Sequence, residues 1–82
     1  MPRPLLVTQQ PQIGHLIRDL RQQLNLSQEK FAAYLGVSFQ AVNRWENGRA
    51  TPSPMARQKL EQQLKKLGDP GKALLARYAA PS

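Results

Sequence analysis

Segment 26–48 of the chain, LSQEKFAAYLGVSFQAVNRWENG, contains two short helical patterns separated by a glycine. Ser27 can cap the first helix by accepting a hydrogen bond from a backbone N–H group. Gly36 can end that helix, because glycine adopts the left-handed conformation without a Cβ penalty. The apolar residues between them recur three and four positions apart, which places them on one helix face: Phe31, Ala32 and Leu35. Ser38 can cap the second helix, so the segment predicts two helices joined by a tight turn.

The second of these helices has an apolar inner face and a polar outer face. Val42 and Trp45 lie three positions apart and are predicted to face inward. The outer face carries Phe39, Gln40, Asn43 and Arg44. Glutamine can pair with adenine through two hydrogen bonds, arginine can pair with guanine, and an exposed aromatic ring can contact a thymine methyl group. Such groups near the N-terminus of an exposed helix suit the reading of a DNA major groove. If Phe39 is instead buried, Gln40 and Arg44 carry the specificity.

The segment resembles the helix-turn-helix of the phage repressor/Cro (XRE) family. The residues that carry this resemblance are Ala32, Gly36, Val37, Val42, Trp45 and the closing Glu46-Asn47-Gly48. A small residue is needed at position 32, because a side chain larger than that of Ala32 would push the two crossing helices apart. Glu46 is expected to be structural and to pair with a basic neighbour. The resemblance extends from about residue 13 to about residue 67 and implies a lambda-repressor-like fold that binds DNA. An alternative is a helix-turn-helix used only for protein contacts.

Composition narrows the classes of partner. The chain has 82 residues, enough for one small domain, and a net charge of +7 from 12 Lys and Arg against 5 Asp and Glu. This balance favours an anionic partner, nucleic acid first and an acidic membrane second. The chain contains no cysteine and only one histidine, His15, so neither a disulfide framework nor a metal site is expected, and no cofactor is predicted. No apolar run approaches the ~18 residues of a membrane span. We therefore expect a cytoplasmic protein, and the resemblance implies a bacterial or phage origin and association with the nucleoid.

Residues 1–12 are expected to form a flexible N-terminal arm. Pro2 and Pro4 exclude a helix at the start of the segment. Arg3 could anchor such an arm on a phosphate or in a minor groove, although a frayed terminus is the simpler interpretation. The apolar run at residues 5–7 could instead cover a patch on the domain or on a second subunit.

The rest of the chain, residues 13–80, is expected to form the DNA-binding domain with its C-terminal helix. A first helix is predicted from about Pro11 to about Leu24. Its apolar stripe has the 3-4-3-4 spacing of a helix face: Ile13, Leu16, Ile17, Leu20 and Leu24. Ser53-Pro54 opens a fourth helix that runs to about Leu67, and Asp69-Pro70 repeats this cap-then-proline pattern before a short fifth helix. The chain is therefore predicted to be an all-α, compact bundle of four to five short helices.

Two sets of side chains are expected to contact DNA. Ser38, Phe39, Gln40 and Arg44 would read base edges. Gln28 lies at the start of the motif's first helix, where the helix dipole favours a phosphate. Lys30 and Asn43 would support it. In the family that this chain resembles, the loop after the second helix lies along the DNA backbone, which adds Asn47, Arg49 and Thr51.

A sequence-specific transcriptional regulator, most simply a repressor, is the function that these residues favour. One module binds weakly, so we expect a symmetric homodimer on an inverted-repeat operator, with recognition helices about 34 Å apart. The alternative is an antitoxin or another protein–protein adapter on the same fold, with a toxin or other protein as partner. An enzyme is disfavoured, because the sequence has neither paired carboxylates nor a glycine-rich phosphate loop. A membrane binder is disfavoured, because short loops and well-placed caps favour a packed bundle.

Overall fold

A computed structural model describes residues 6–80, and within that range the chain forms five helices and no strand. The helices are α1 (Gln12–Gln23), α2 (Gln28–Leu35), α3 (Phe39–Glu46), α4 (Pro54–Lys66) and α5 (Asp69–Arg77). The prediction of an all-α bundle is therefore confirmed, with five as the number of helices. Each helix within residues 6–80 falls short of the length and apolar character that a membrane-spanning helix needs.

Serine caps start three of the helices where the sequence predicts them. The Oγ atoms of Ser27, Ser38 and Ser53 each accept a hydrogen bond from the backbone N–H group three residues further on, at 3.1, 3.1 and 3.2 Å. Each bond satisfies a donor that has no partner within the helix. The start of α5 differs from the prediction, because Gly68 occupies the cap position without a side-chain bond and Asp69 lies inside the first turn.

One apolar core lies between the helices. The stripe of α1 is buried except at Leu24, which is only partly covered. α1 packs on α3 and on α5. α2 packs on α3 and on α4, and α4 also contacts α5. Trp45 is buried, as its spacing to Val42 predicts. The buried apolar residues of the core are Leu6, Ile13, Leu16, Ile17, Leu20, Phe31, Ala32, Leu35, Val42, Trp45, Ala56, Leu60 and Leu64.

Part of the segment expected to be a free arm packs against the domain. Leu6 is 1% exposed and belongs to the core. It forms an isolated antiparallel bridge with Ala79, and the backbone N–H group of Val7 donates to the carbonyl oxygen of Tyr78 at 2.9 Å. Burial of an apolar side chain of this size is favourable by about 2 kcal/mol, which opposes release of residues 6–12. Residues 1–5 of the expected arm, including Arg3, lie outside the described residues.

Candidate nucleic-acid interface

The turn between α2 and α3 fixes the angle between these helices. Gly36 has φ +75°, in the left-handed region. Its N–H group donates to the carbonyl oxygen of Ala33 at 3.2 Å, and the N–H group of Val37 donates to that of Ala32 at 2.9 Å. These two bonds define a Schellman motif, which satisfies carbonyl groups at the end of α2. Val37, the apolar residue inside the turn, is partly buried and packs against the core.

The outer face of α3 is open to solvent. Gln40 and Arg44 are exposed, while Val42 and Trp45 on the other side of the helix are buried. Phe39 is 41% exposed, so its ring is not a core residue. Ser38 is also exposed, and its Oγ atom is engaged as the α3 cap. The structure therefore places the four expected base-reading residues along one helix, with Ser38 at its cap, Phe39 and Gln40 in its first turn and Arg44 in its last turn.

A buried carboxylate lies where α1, α2 and α3 meet. The side chain of Glu46 is 1% exposed. Arg21 binds it with two hydrogen bonds, Nε to Oε2 at 2.7 Å and Nη2 to Oε1 at 3.0 Å. Arg18 donates from Nε to Oε1 at 3.4 Å. The pairing of Glu46 with a basic neighbour is confirmed, and the partners are two arginines that lie off the apolar stripe of α1.

The charge state of this cluster follows from its contacts. Burial alone would raise the pKa of Glu46, but the hydrogen bonds from Arg21 and Gln28 outweigh it, and the pKa lies below its ordinary value. The hydrogen bond to Glu46 in turn raises the pKa of Arg21. Glu46 is thus ionised at neutral pH, and its charge holds the three helices together.

A chain of side-chain amides runs from Glu46 towards the end of α3. Gln28 donates from Nε2 to Glu46 Oε1 at 3.2 Å, and its Oε1 atom accepts from Asn43 Nδ2 at 3.2 Å. Asn43 Oδ1 then accepts from Asn47 Nδ2 at 3.1 Å. Three of the expected phosphate contacts, Gln28, Asn43 and Asn47, are therefore connected to one another and to the buried carboxylate. The sequence did not reveal this connection, because an amide pair gives no periodic signal.

Four of the expected phosphate contacts, Asn47 of the amide chain among them, are exposed on the surface. Lys30 is exposed in the first turn of α2. Asn47, Arg49 and Thr51 are exposed in and beyond the turn that follows α3. The backbone N–H group of Arg49 donates to the carbonyl oxygen of Arg44 at 2.9 Å, which connects the turn to α3. Within the described residues, no group of three or more His, Cys, Asp or Glu side chains could hold a metal ion.

Two short helices joined by a left-handed glycine turn, with an open polar face on the second, define a helix-turn-helix domain. The sequence model of the helix-turn-helix family matches residues 17–67, more than half of the chain. The chain belongs to this family, in its phage repressor/Cro (XRE) type, and has the lambda-repressor-like fold. It is a DNA-binding domain of a non-enzymatic family. Comparisons with curated proteins and with solved structures find no match.

Proposed function

We propose that the protein is a sequence-specific transcriptional regulator, a repressor, that reads the major groove of DNA with α3. The observation that carries this proposal is the exposure of Gln40 and Arg44 opposite the buried Val42 and Trp45. A helix with this division can enter a groove about 12 Å wide without unpacking the core. Such a regulator would act at the nucleoid, in the cytoplasm of a bacterial or phage-infected cell.

Each base-reading residue has a role that its chemistry suits. Arg44 would donate two hydrogen bonds to guanine, and Gln40 would pair with adenine. The exposed ring of Phe39 would contact a thymine methyl group, and Ser38 would lie at the entry of the helix into the groove. A good bidentate pair discriminates against the wrong base by about 1–3 kcal/mol.

Phosphate contacts would supply register and much of the affinity. Gln28 already uses one of its two N–H bonds on Glu46, so its second N–H bond is the one that would reach a phosphate. Asn43 and Asn47 would support it through the amide chain, and Lys30, Arg49 and Thr51 would extend the contact on the surface. These contacts make binding salt-dependent, because each neutralised phosphate releases counterions.

Selection of bound fragments from random duplex DNA tests the proposal. We expect an enriched inverted repeat whose half-sites lie about one helical turn apart, because two recognition helices of a symmetric homodimer would face one side of the duplex. Failure to enrich any sequence would contradict sequence-specific reading. DNA affinity that does not change with salt, together with tight binding to a toxin or other protein, would favour the antitoxin or adapter function instead.

The first prediction concerns specificity. We expect Arg44→Ala to weaken binding to the selected operator by about 10-fold or more, because the variant lacks the bidentate donor to guanine. Binding to random duplex DNA of equal length should change much less. Competition binding with both duplexes measures the ratio. Equal losses on the two duplexes would make Arg44 a phosphate contact.

The second prediction concerns non-specific affinity. We expect Arg49→Ala to weaken binding to every sequence and to reduce the slope of log K against log salt by about 1, as loss of one phosphate contact requires. Lys72→Ala is the matched control, since Lys72 is an exposed cation on α5. An unchanged slope for Arg49→Ala would remove this residue from the phosphate contacts.

A further inference from the structure

The side chain of Gln10 connects the start of α1 to both sides of the turn that follows α3. Its Nε2 atom donates to the carbonyl oxygen of Trp45 at 2.8 Å and to that of Ala50 at 2.7 Å. Its Oε1 atom accepts from the backbone N–H group of Gly14 at 3.1 Å. The side-chain amide of Gln10 therefore uses both of its N–H groups as donors and its carbonyl oxygen as an acceptor. The bonds reach 35 and 40 residues along the chain.

The two carbonyl groups that Gln10 binds enclose a short stretch of surface. Trp45 precedes this stretch and Ala50 follows it, and between them lie Asn47 and Arg49, both exposed. We propose that Gln10 is a positioning residue for DNA binding, which holds the turn at residues 46–49 in the conformation that presents Asn47 and Arg49 to the phosphate backbone. The inference rests on the function proposed above, because it assigns a determinant of that same interface.

The backbone around Gly14 is shaped for this contact. A Cβ atom on Gly14 would lie 2.5 Å from the carbonyl oxygen of Trp45 and 2.8 Å from Gln10 Oε1. Both distances are below van der Waals contact, and the first involves backbone that cannot rotate away. Gly14 therefore lets α1 approach the end of α3 closely enough for one glutamine side chain to bond both of them.

A turn that is held before binding loses less conformational entropy when it meets DNA. Without the two donations from Gln10, the carbonyl oxygen of Ala50 would turn to water, and that of Trp45 would keep only its bond from the N–H group of Gly48 inside the turn. Residues 46–49 would then sample more conformations. The phosphate contacts would then form only in a fraction of the population. Because phosphates carry no sequence information, the loss would be the same for every duplex.

Gln10→Glu separates this role from support of α1. A carboxylate can still accept from the N–H group of Gly14 and is favoured by the dipole at the start of the helix. It has no N–H group for Trp45 and Ala50, and its second oxygen repels their carbonyl oxygens. Gln9→Glu is the control, because Gln9 is the exposed neighbour of Gln10 and this substitution adds the same negative charge. We expect Gln10→Glu to bind the selected operator and a random duplex about 10-fold more weakly than Gln9→Glu, with the ratio between the duplexes unchanged.

A double-mutant cycle with Arg49→Ala completes the test. If Gln10 acts through the turn, the 10-fold difference between Gln10→Glu and Gln9→Glu should shrink to about 3-fold or less once Arg49 is absent. A difference that stays at about 10-fold in the Arg49→Ala background, or no difference in either background, would overturn the inference. Circular dichroism confirms that each variant is folded under the binding conditions. If Gln10→Glu is not folded, Gln10→Met and Gln9→Met replace the pair.

The unmodified protein separates the two proposals. Salt-dependent binding to DNA by the unmodified chain, with additive Gln10 and Arg49 effects, would refute the positioning role alone. Absence of DNA binding by the unmodified chain would refute the proposed function and the positioning role together.

Discussion

Glu46→Ala should lower the free energy of unfolding by about 3 kcal/mol, because it leaves Arg21 without the carboxylate that faces it. This loss is at the lower end of the range for a broken buried ion pair, because the side chain of Arg21 is 18% exposed and that of Arg18 is 47% exposed. For a domain of this size the midpoint of thermal unfolding should fall by about 15 °C. Thermal and urea unfolding measure both quantities. Glu29→Ala is the control, because Glu29 is exposed, and it should shift the midpoint by only a few degrees.

The same carboxylate makes stability depend on pH in the acidic range. The pKa of Glu46 is lower in the folded protein than in the unfolded chain, so the folded state binds the proton less readily. Its contribution is therefore fully present above about pH 5 and is lost as the pH falls through the lowered folded pKa. We expect Glu46→Gln to lose this part of the pH dependence. A variant with the same acidic slope as the unmodified protein would contradict this role of Glu46.

Gly71→Ala should destabilise the protein by about 3 kcal/mol, although alanine is the better helix former by about 1 kcal/mol. Gly71 is buried in the first turn of α5, and a Cβ atom there would lie 1.8 Å from the carbonyl oxygen of Leu64. That oxygen belongs to the backbone of α4, so α5 would have to move as a unit. Loss of α5 packing would also expose part of α1. Urea unfolding and the protection of α5 amides from hydrogen exchange measure the effect.

Gly48→Ala provides the comparison for this substitution. A Cβ atom on Gly48 meets no heavy atom within 4 Å, so only the cost of its φ of +77° applies, about 1 kcal/mol. The difference between the two variants isolates the collision with Leu64. An increase in stability for Gly71→Ala, as helix propensity alone would give, would show that α4 and α5 separate easily.

Much of the fold could be predicted because its signals are local. Serine caps, a glycine in the left-handed conformation and apolar spacing act within one turn of a helix, and the structure confirms these signals at α2 and α3. The start of α5 differs from its prediction. Either Asp69 or Gly68 could be the residue that caps this helix, and which of them does so depends on how α4 ends. The sequence does not show that Leu6 packs on this domain, because its partner Ala79 lies at the other end of the described chain.

In the candidate site too, local features could be predicted from the sequence and long-range contacts could not. The periodicity of α3 was enough to place Gln40 and Arg44 on an outer face, and the structure leaves both exposed. The connections of Gln28 to Glu46 and of Gln10 to Trp45 span 18 and 35 residues. Glutamine has no periodic role in a helix or a turn, so neither contact leaves a pattern in the sequence. Their assignment requires the packing of α1, α2 and α3 in three dimensions.

The bridge between Leu6 and Ala79 has a practical consequence for labelling. Two fluorophores attached beside this pair, at the described residues Thr8 and Ala80, would start close together. Energy transfer between them would be high in the native protein and would drop when the contact between the two ends of the chain opens. Such a sensor would report detachment of the N-terminal segment separately from melting of the helices. It would also leave the face of α3 unmodified.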